Sequence, residues 1–358
     1  MMIVLYTFTL LSGIISNVCK ERTLKKIALF LMFSMLWIFL GWSSGAYDVE
    51  VAISRYENYE YYSSFTEFGY NALIVLAHKI GLSCRTFFVL CSFFDIFAIF
   101  YFVNRNSKSS IMTLLLFVIF PFVIYLQYVK NILAFSFILF AFDCLLNKRK
   151  HYVVKYFIFV LLACTIHLNS AFFILLLPLE HFSPKKIVIV SFISFVLLSN
   201  SFFINIFYYF VELLLGEQKV IQISTSVNVD GQLGRVFAVV FAWLEFWAMY
   251  YFFKKCCHLD VTDNFSMFFY KLNILAILFI PLTANFGIGF ARFFDLLSIV
   301  NYCFYSNQII RIKKKGKKQL AYVILFIFLF GLLFLYYRNE EYRNAVLIPF
   351  FNNNELLR

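Results

Sequence analysis

Of 358 residues, 63% are hydrophobic, 14% are charged and 51 are Phe, a balance that excludes a soluble globular domain. Apolar windows of about 17–25 residues, the length a helix needs to cross a hydrocarbon core of roughly 30 Å, recur along the whole chain. The net charge of +12 does not point to nucleic acid, because Lys and Arg sit in short clusters between apolar runs with no folded domain beneath them, which is the positive-inside pattern.

The first run, MMIVLYTFTLLSGIISNV, has no basic start and no small-residue cleavage site, and reads as a retained span rather than a signal peptide. With the basic clusters cytoplasmic, residues 2–18 come in and 27–43 go out. A polar outer loop covers about 43–70, and NALIVLAHKIGL (71–82), too short to span, lies at the interface or re-enters. Residues 86–103 come in, 111–128 go out and 131–147 come back. Residues 156–180 form either one long helix or, since basic clusters flank both ends, two short helices folding back at Thr165–Asn169. Residues 187–212 go out, a second outer loop covers about 213–234, 235–253 come in, 266–286 go out, 291–310 come in, and 319–337 go out to a short outer tail. The expectation is an all-α polytopic membrane protein, one integral domain over 1–358, with about 11–12 transmembrane helices and short re-entrant or interfacial helices on the outer face. The eight cysteines form no disulfide framework and no zinc-ligand spacing.

This topology gathers the polar residues that do not belong in a membrane. Lys130 and Asn131, in YLQYVKNILAF beside Gln127, fall at the outer end of their helix. So do His167 and Asn169, Arg292 at the end of NFGIGFAR, and Arg235 after the glycines of DGQLGR; Asp48, Arg55 and Glu67 lie in the first outer loop. Each has a plain structural reading: a terminal Lys snorkels, a lone His packs, and loop carboxylates are solvated. Asp95, Asp143 and Glu245 lie deeper in spans and are expected to pair with each other or with cytoplasmic lysines, their function being open. Several cations and a His at one depth on one side favour an anion held at the outer surface, and a polyprenyl pyrophosphate that carries bacterial surface glycans has that charge at that depth.

Four stretches carry a family resemblance. Tyr47–Asp48 followed by EFGYNAL (67–73) is similar to an E-x-G-[FY] step before a short apolar stretch, and YVKNILAFSF (128–137) to an Arg-Gln step in an apolar helix. LLACTIHLNSAFFIL (161–175) is similar to an A-x-x-x-H-x-[ST]-[AS] run, and FARFFDLLSIV (290–300) to a late Arg before an aromatic pair. Together they resemble the EpsG family of polysaccharide polymerases, which includes Wzy-type O-antigen and capsule polymerases. The family's usual Arg and Gln are Lys130 and Asn131 here, which keeps the charge and loses the bidentate fork.

The resemblance implies a multi-pass glycosyltransferase of the bacterial inner membrane, with its active face periplasmic or extracellular. It would join oligosaccharide repeat units carried on undecaprenyl pyrophosphate into O-antigen, capsule or exopolysaccharide. The transfer needs a base for the acceptor proton and cations for the departing pyrophosphate. His167, Glu67 and Asp48 are the candidate catalytic groups, and Lys130, Arg292 and Arg235 the candidate pyrophosphate ligands. Asn131, Gln127, Asn169 and Arg55 are candidates for orienting substrate. No cofactor, metal or nucleic acid is expected; the expected partners are lipid-linked oligosaccharide, membrane lipid, and candidate chain-length regulator and flippase of the same pathway. The competing readings are a flippase or transporter of lipid-linked oligosaccharide, against which stand the one-sided polar cluster and the lack of a repeat, and another membrane glycan-modifying transferase. A structural subunit of an export complex is a third.

Overall fold

The computed structural model describes residues 2–18, 21–61, 67–179, 181–215, 232–286, 288–338, 340 and 343–356. The protein is an all-α polytopic membrane protein. Among the described residues six helices are long and apolar enough to span: α2 (Arg22–Gly41), α5 (Cys84–Asn106), α7 (Val129–Asn147), Val236–Cys256, Asn264–Phe286 and α16 (Lys315–Arg338). The other expected crossings fall on shorter or broken elements. Residues 2–18 are α1 (Met2–Val18). The 111–128 run stops as α6 (Ser110–Ile119) and resumes after Pro121 as a 3-10 stretch, Phe122–Gln127, because Pro has no N–H for the ladder and its ring crowds the preceding turn. The 187–212 run breaks into α10 (Pro184–Leu198) and α11 (Ser201–Leu215), bent by 80°, where Asn200 Oδ1 accepts the Phe202 N–H at 2.9 Å and competes with the helix. The 291–310 run is α15 (Ile288–Arg311), which carries Arg292 and Asp295 and is not among the six.

The chain forms two compact units. The first comprises residues 1–174, 305–310 and 340–358; the second comprises 175–304 and 311–339. In the first, α7 packs on α5 and on α8 (Tyr152–Ile166), α2 packs on α5 and α1, and α4 (Phe68–Lys79) packs on α8. Burying apolar side chains drives little association in lipid, so close packing and polar contacts matter more. The C-terminal ends of α5 and α7 are joined by Arg105 Nε donating to Asp143 Oδ1 at 2.8 Å, with Asn147 Nδ2 donating to the same oxygen at 2.8 Å. Mid-span, Ser136 donates to Asp95 at 2.8 Å. Asp95 and Asp143, expected to pair with each other or with lysines, pair instead with Ser136 and with Arg105, Asn106 and Asn147. In the second unit, α12 (Gln232–Tyr251) packs on α16 and on α14 (Phe279–Phe286), and Tyr336 donates to Asp295 at 2.8 Å.

The expected first outer loop is largely structured. Residues Tyr47–Glu57 form α3, with Asp48 and Glu50 in its first turn and Arg55 in its last, as the helix dipole favours. The C-terminal tail does not hang free: Ser44 N donates to the Asn353 carbonyl at 2.8 Å, and Glu355 N to the Trp42 carbonyl at 2.9 Å. Asn354 Nδ2 reaches the Ile38 carbonyl at 3.0 Å. Gly45 sits at φ +79° with Asn353 Nδ2 where a Cβ would stand, so a side chain there is strained and displaces the Asn353 amide. The expected second outer loop, 213–234, lies from 216 to 231 outside the described residues.

Candidate functional site

Three helix ends meet at Glu67, all in the first unit. Glu67 is the residue before α4, and its side chain does not cap that helix but turns toward cations. Lys130 stands in the first turn of α7, where the helix dipole disfavours a cation. Its Nζ lies 3.0 Å from each Glu67 carboxylate oxygen, so the anionic partner this Lys requires is supplied by the protein. Arg55, buried at the end of α3, donates through Nη1 to Glu67 Oε2. Its Nε and Nη2 both go to Asn71 Oδ1, at 3.0 and 2.6 Å, and its guanidinium lies 5.4 Å from the Tyr70 ring centroid. His167 follows the last residue of α8, in extended backbone, with Nδ1 3.7 Å from Glu67 Oε1; that is too long for a hydrogen bond and within reach of an ion pair.

The EFGY step now has a mechanical explanation. A Cβ on Gly69 would stand 2.1 Å from Thr165 Oγ1 and 3.0 Å from the Thr165 backbone carbon, so only Gly lets α4 cross α8 at that point. That crossing brings Glu67 to His167, two residues after Thr165. The break at His167 ends α8 and starts the 3-10 stretch Leu168–Leu175, which settles the 156–180 ambiguity for two short helices. Tyr156 OH donates to the Phe173 carbonyl and ties the second element back onto the first.

Electrostatically the cluster is one carboxylate among three basic groups. Burial alone would raise the Glu67 carboxyl, but His167, the Lys130 ammonium and the Arg55 guanidinium hold it well below the usual carboxylate range. Glu67 is therefore a fixed anion and a weak base, and it gathers the cations. Exposure rises across the group, with side-chain values of 8% for Arg55, 13% for Glu67, 18% for His167 and 29% for Lys130, so Lys130 marks its open side.

Of the other predicted residues, Asn131 is buried and its Nδ2 makes no hydrogen bond to any described residue; Ser170 Oγ is in the same position. Asn169 is half-buried in the 3-10 stretch, two residues past His167. Asp48 shares the Arg55 face of α3 two turns away, about 10 Å along the axis. Arg292 is half-buried in α15, and it and Arg235 in α12 belong to the second unit. The side chains of Gln127 and Arg235 lie outside the described residues. Sequence reasoning missed Asn71, which fixes Arg55 through two bonds; its signal is the i, i+4 spacing from Glu67. Compared with known proteins, residues 26–352 match the EpsG family, nearly the whole chain. No curated protein and no solved structure matches the sequence significantly.

Proposed function

The chain belongs to the EpsG family of polysaccharide polymerases, and on that premise we propose that it joins lipid-linked oligosaccharide units at the outer face of a bacterial inner membrane. The observation that carries this reading is the meeting of Glu67, Lys130 and His167, from three separate motif-bearing stretches, around one carboxylate. The acceptor hydroxyl of one unit gives its proton to His167 and its oxygen attacks the anomeric carbon of the other unit's reducing-end sugar. The bond from that carbon to the diphosphate oxygen breaks, the electron pair leaves with the undecaprenyl diphosphate, and the glycan is one unit longer. Glu67 holds the imidazole in orientation and stabilises its charged form, as the carboxylate of a catalytic dyad does. Lys130 and Arg55 supply positive charge for the leaving diphosphate. Asn131 and Asn169 are candidates for holding sugar hydroxyls. The step uses no cofactor or metal. A flippase would deliver the units and a chain-length regulator would act on the product.

The test is surface glycan length in cells lacking the protein, complemented with wild type, Lys130→Ala or His167→Ala, after normal membrane insertion of each variant is established. Single repeat units on the surface of the null cell, and a ladder restored by wild type alone, support polymerisation at this cluster. Lipid-linked units accumulating inside, with none on the surface, would instead mean that the protein moves them across.

A further inference from the structure

Two lysine-rich segments of the second unit meet at the ends of spans. Lys254 and Lys255 close the span Val236–Cys256 in a π-helical turn, Phe252–Cys256. Lys313 and Lys314 precede α16, and Lys315 opens it. All five are exposed. Lys317, half-buried in the first turn of α16, donates to the Cys256 carbonyl and so ties one segment to the other. Lys254 Nζ stands 5.9 Å from the Tyr250 ring centroid, against its own helix. Among the described residues none of the five exposed lysines is in an ion pair. The two acids of these segments are already occupied. Asp260 Oδ1 accepts from the Thr262 N–H at 2.9 Å and from its hydroxyl at 2.5 Å. Asp263 accepts from Ser266 and, at 3.2 Å, from Arg311 Nη1. Basic side chains at other helix ends do have carboxylates: Arg105 pairs with Asp143 and Arg85 with Glu355. A charge that only sets topology needs neither the meeting of two segments nor a shortage of acids.

We propose that the two segments form one binding site for the phosphate headgroup of an anionic phospholipid in the leaflet that these helix ends meet. Depth selects a lipid. Tyr251, 62% exposed, directly precedes the π-helical turn, and the apolar run of α16 begins at Leu320, so the ammonium groups stand within about two helical turns of the hydrocarbon edge. Charge selects its sign, because a cluster of exposed lysines beside a span attracts anionic headgroups. An ammonium meets a phosphate as a point charge, and several of them around one headgroup supply what a single Lys cannot. The site lies in the second unit and does not rest on the glycosyl-transfer reading.

The experiment uses full-length protein in phosphatidylcholine vesicles with and without phosphatidylglycerol. Brief acetylation with a membrane-permeant amine-reactive ester, mapped by mass spectrometry, reads how far each lysine is covered. With phosphatidylglycerol, acetylation of Lys254, Lys255 and Lys313 to Lys315 should fall about fivefold relative to the exposed Lys185 and Lys186 of α10. Salt at about 1 M, where the screening length is roughly 3 Å, should restore it. Lys313→Gln, Lys314→Gln and Lys315→Gln in one chain should also uncover Lys254 and Lys255, because the headgroup is shared, whereas Lys185→Gln with Lys186→Gln should not. Lys317 is left in place, and its unchanged reactivity in phosphatidylcholine reports that the tie to Cys256 persists. Equal acetylation with and without phosphatidylglycerol, an equal fall at Lys185 and Lys186, or Lys254 and Lys255 still covered in the triple variant overturns the proposal. So does full protection by inorganic polyphosphate in phosphatidylcholine vesicles, which would make the occupant a soluble polyanion.

Discussion

Replacing the Glu67 carboxylate with an amide leaves two permanent cations facing one another in a half-buried site. Glu67→Gln should therefore cost about 3 kcal/mol of stability in detergent, more than Lys130→Met, which leaves the carboxylate still paired with Arg55. The pH dependence has a definite sign. Because the folded-state affinity of Glu67 for a proton is lowered, its contribution is complete above the unfolded carboxylate pKa of about 4.3 and is lost only as pH falls below that. Chemical denaturation of wild type and Glu67→Gln should differ by a constant amount from about pH 8 to 5, with the gap closing below about pH 4. In activity, an anion beside an imidazole favours its protonated form, so the acid limb of kcat/KM should move to lower pH in whatever activity Glu67→Gln retains; an unmoved limb would remove His167 from the base role. Lys130 acts as a point charge equidistant from both carboxylate oxygens, while the planar fork belongs to Arg55. Lys130→Arg should thus keep activity within about threefold and Lys130→Gln lose about 100-fold, measured as polymer formed per unit time by reconstituted protein. At this scale the sequence showed the site's charges and their shared side, since a cation at a membrane edge demands an anion. It did not show which anion, because Glu67 is 63 residues from Lys130 and only the α4–α8 crossing and the α3 end bring the groups together.

Helix crossings carry the next level of control. Gly69→Ala puts a methyl group against Thr165, and α4 must lift off α8 with Glu67 at its leading end. A displacement of about 1 Å at a reacting group costs up to 100-fold in rate, so Gly69→Ala should lose that order of activity while the protein still inserts. Thr165→Gly in the same chain removes both side-chain atoms in the way and should recover part of the loss, the remaining 3.0 Å approach to the backbone carbon setting the limit. Long helices were legible from hydropathy: the expected 86–103, 131–147 and 319–337 all lie within helices the structure contains. Breaks were legible only where a chemical marker stood. Pro121 marks one and the basic flanks of 156–180 another, whereas the 80° bend at Ser199–Asn200 turns on a side-chain cap that a run of hydropathy averages away.

Orientation belongs to the whole molecule, and the first unit constrains it internally. The C-terminal segment is hydrogen-bonded to Ile38, Trp42 and Ser44 at the α2 end, and Arg85 at the start of α5 pairs with Glu355. The tail and the start of the first loop therefore share one side of the membrane, whichever side that is. The charge rule then decides, because the clusters NRNSK (104–108) and KRKHYVVK (148–155) stand at the opposite ends of α5 and α7. The expected arrangement puts the tail, Arg55, Glu67 and Lys130 outside. Tyr61, 86% exposed, and Leu356, 50% exposed, are suitable reporters. In a chain whose native cysteines are serine, an impermeant maleimide should label Tyr61→Cys and Leu356→Cys in intact cells, and Lys150→Cys only after permeabilisation. The docked tail adds a second readout on the same molecule. Deleting residues 353–358 removes the strap on Gly45 and the partner of Arg85, so protease added from outside should cut between 42 and 47 faster than in the full chain. Labelling of Lys150→Cys in intact cells, with Tyr61→Cys protected, would invert the topology and place the Glu67 cluster at the cytoplasmic face, where soluble nucleotide sugars could reach it and a lipid-linked donor would no longer be required.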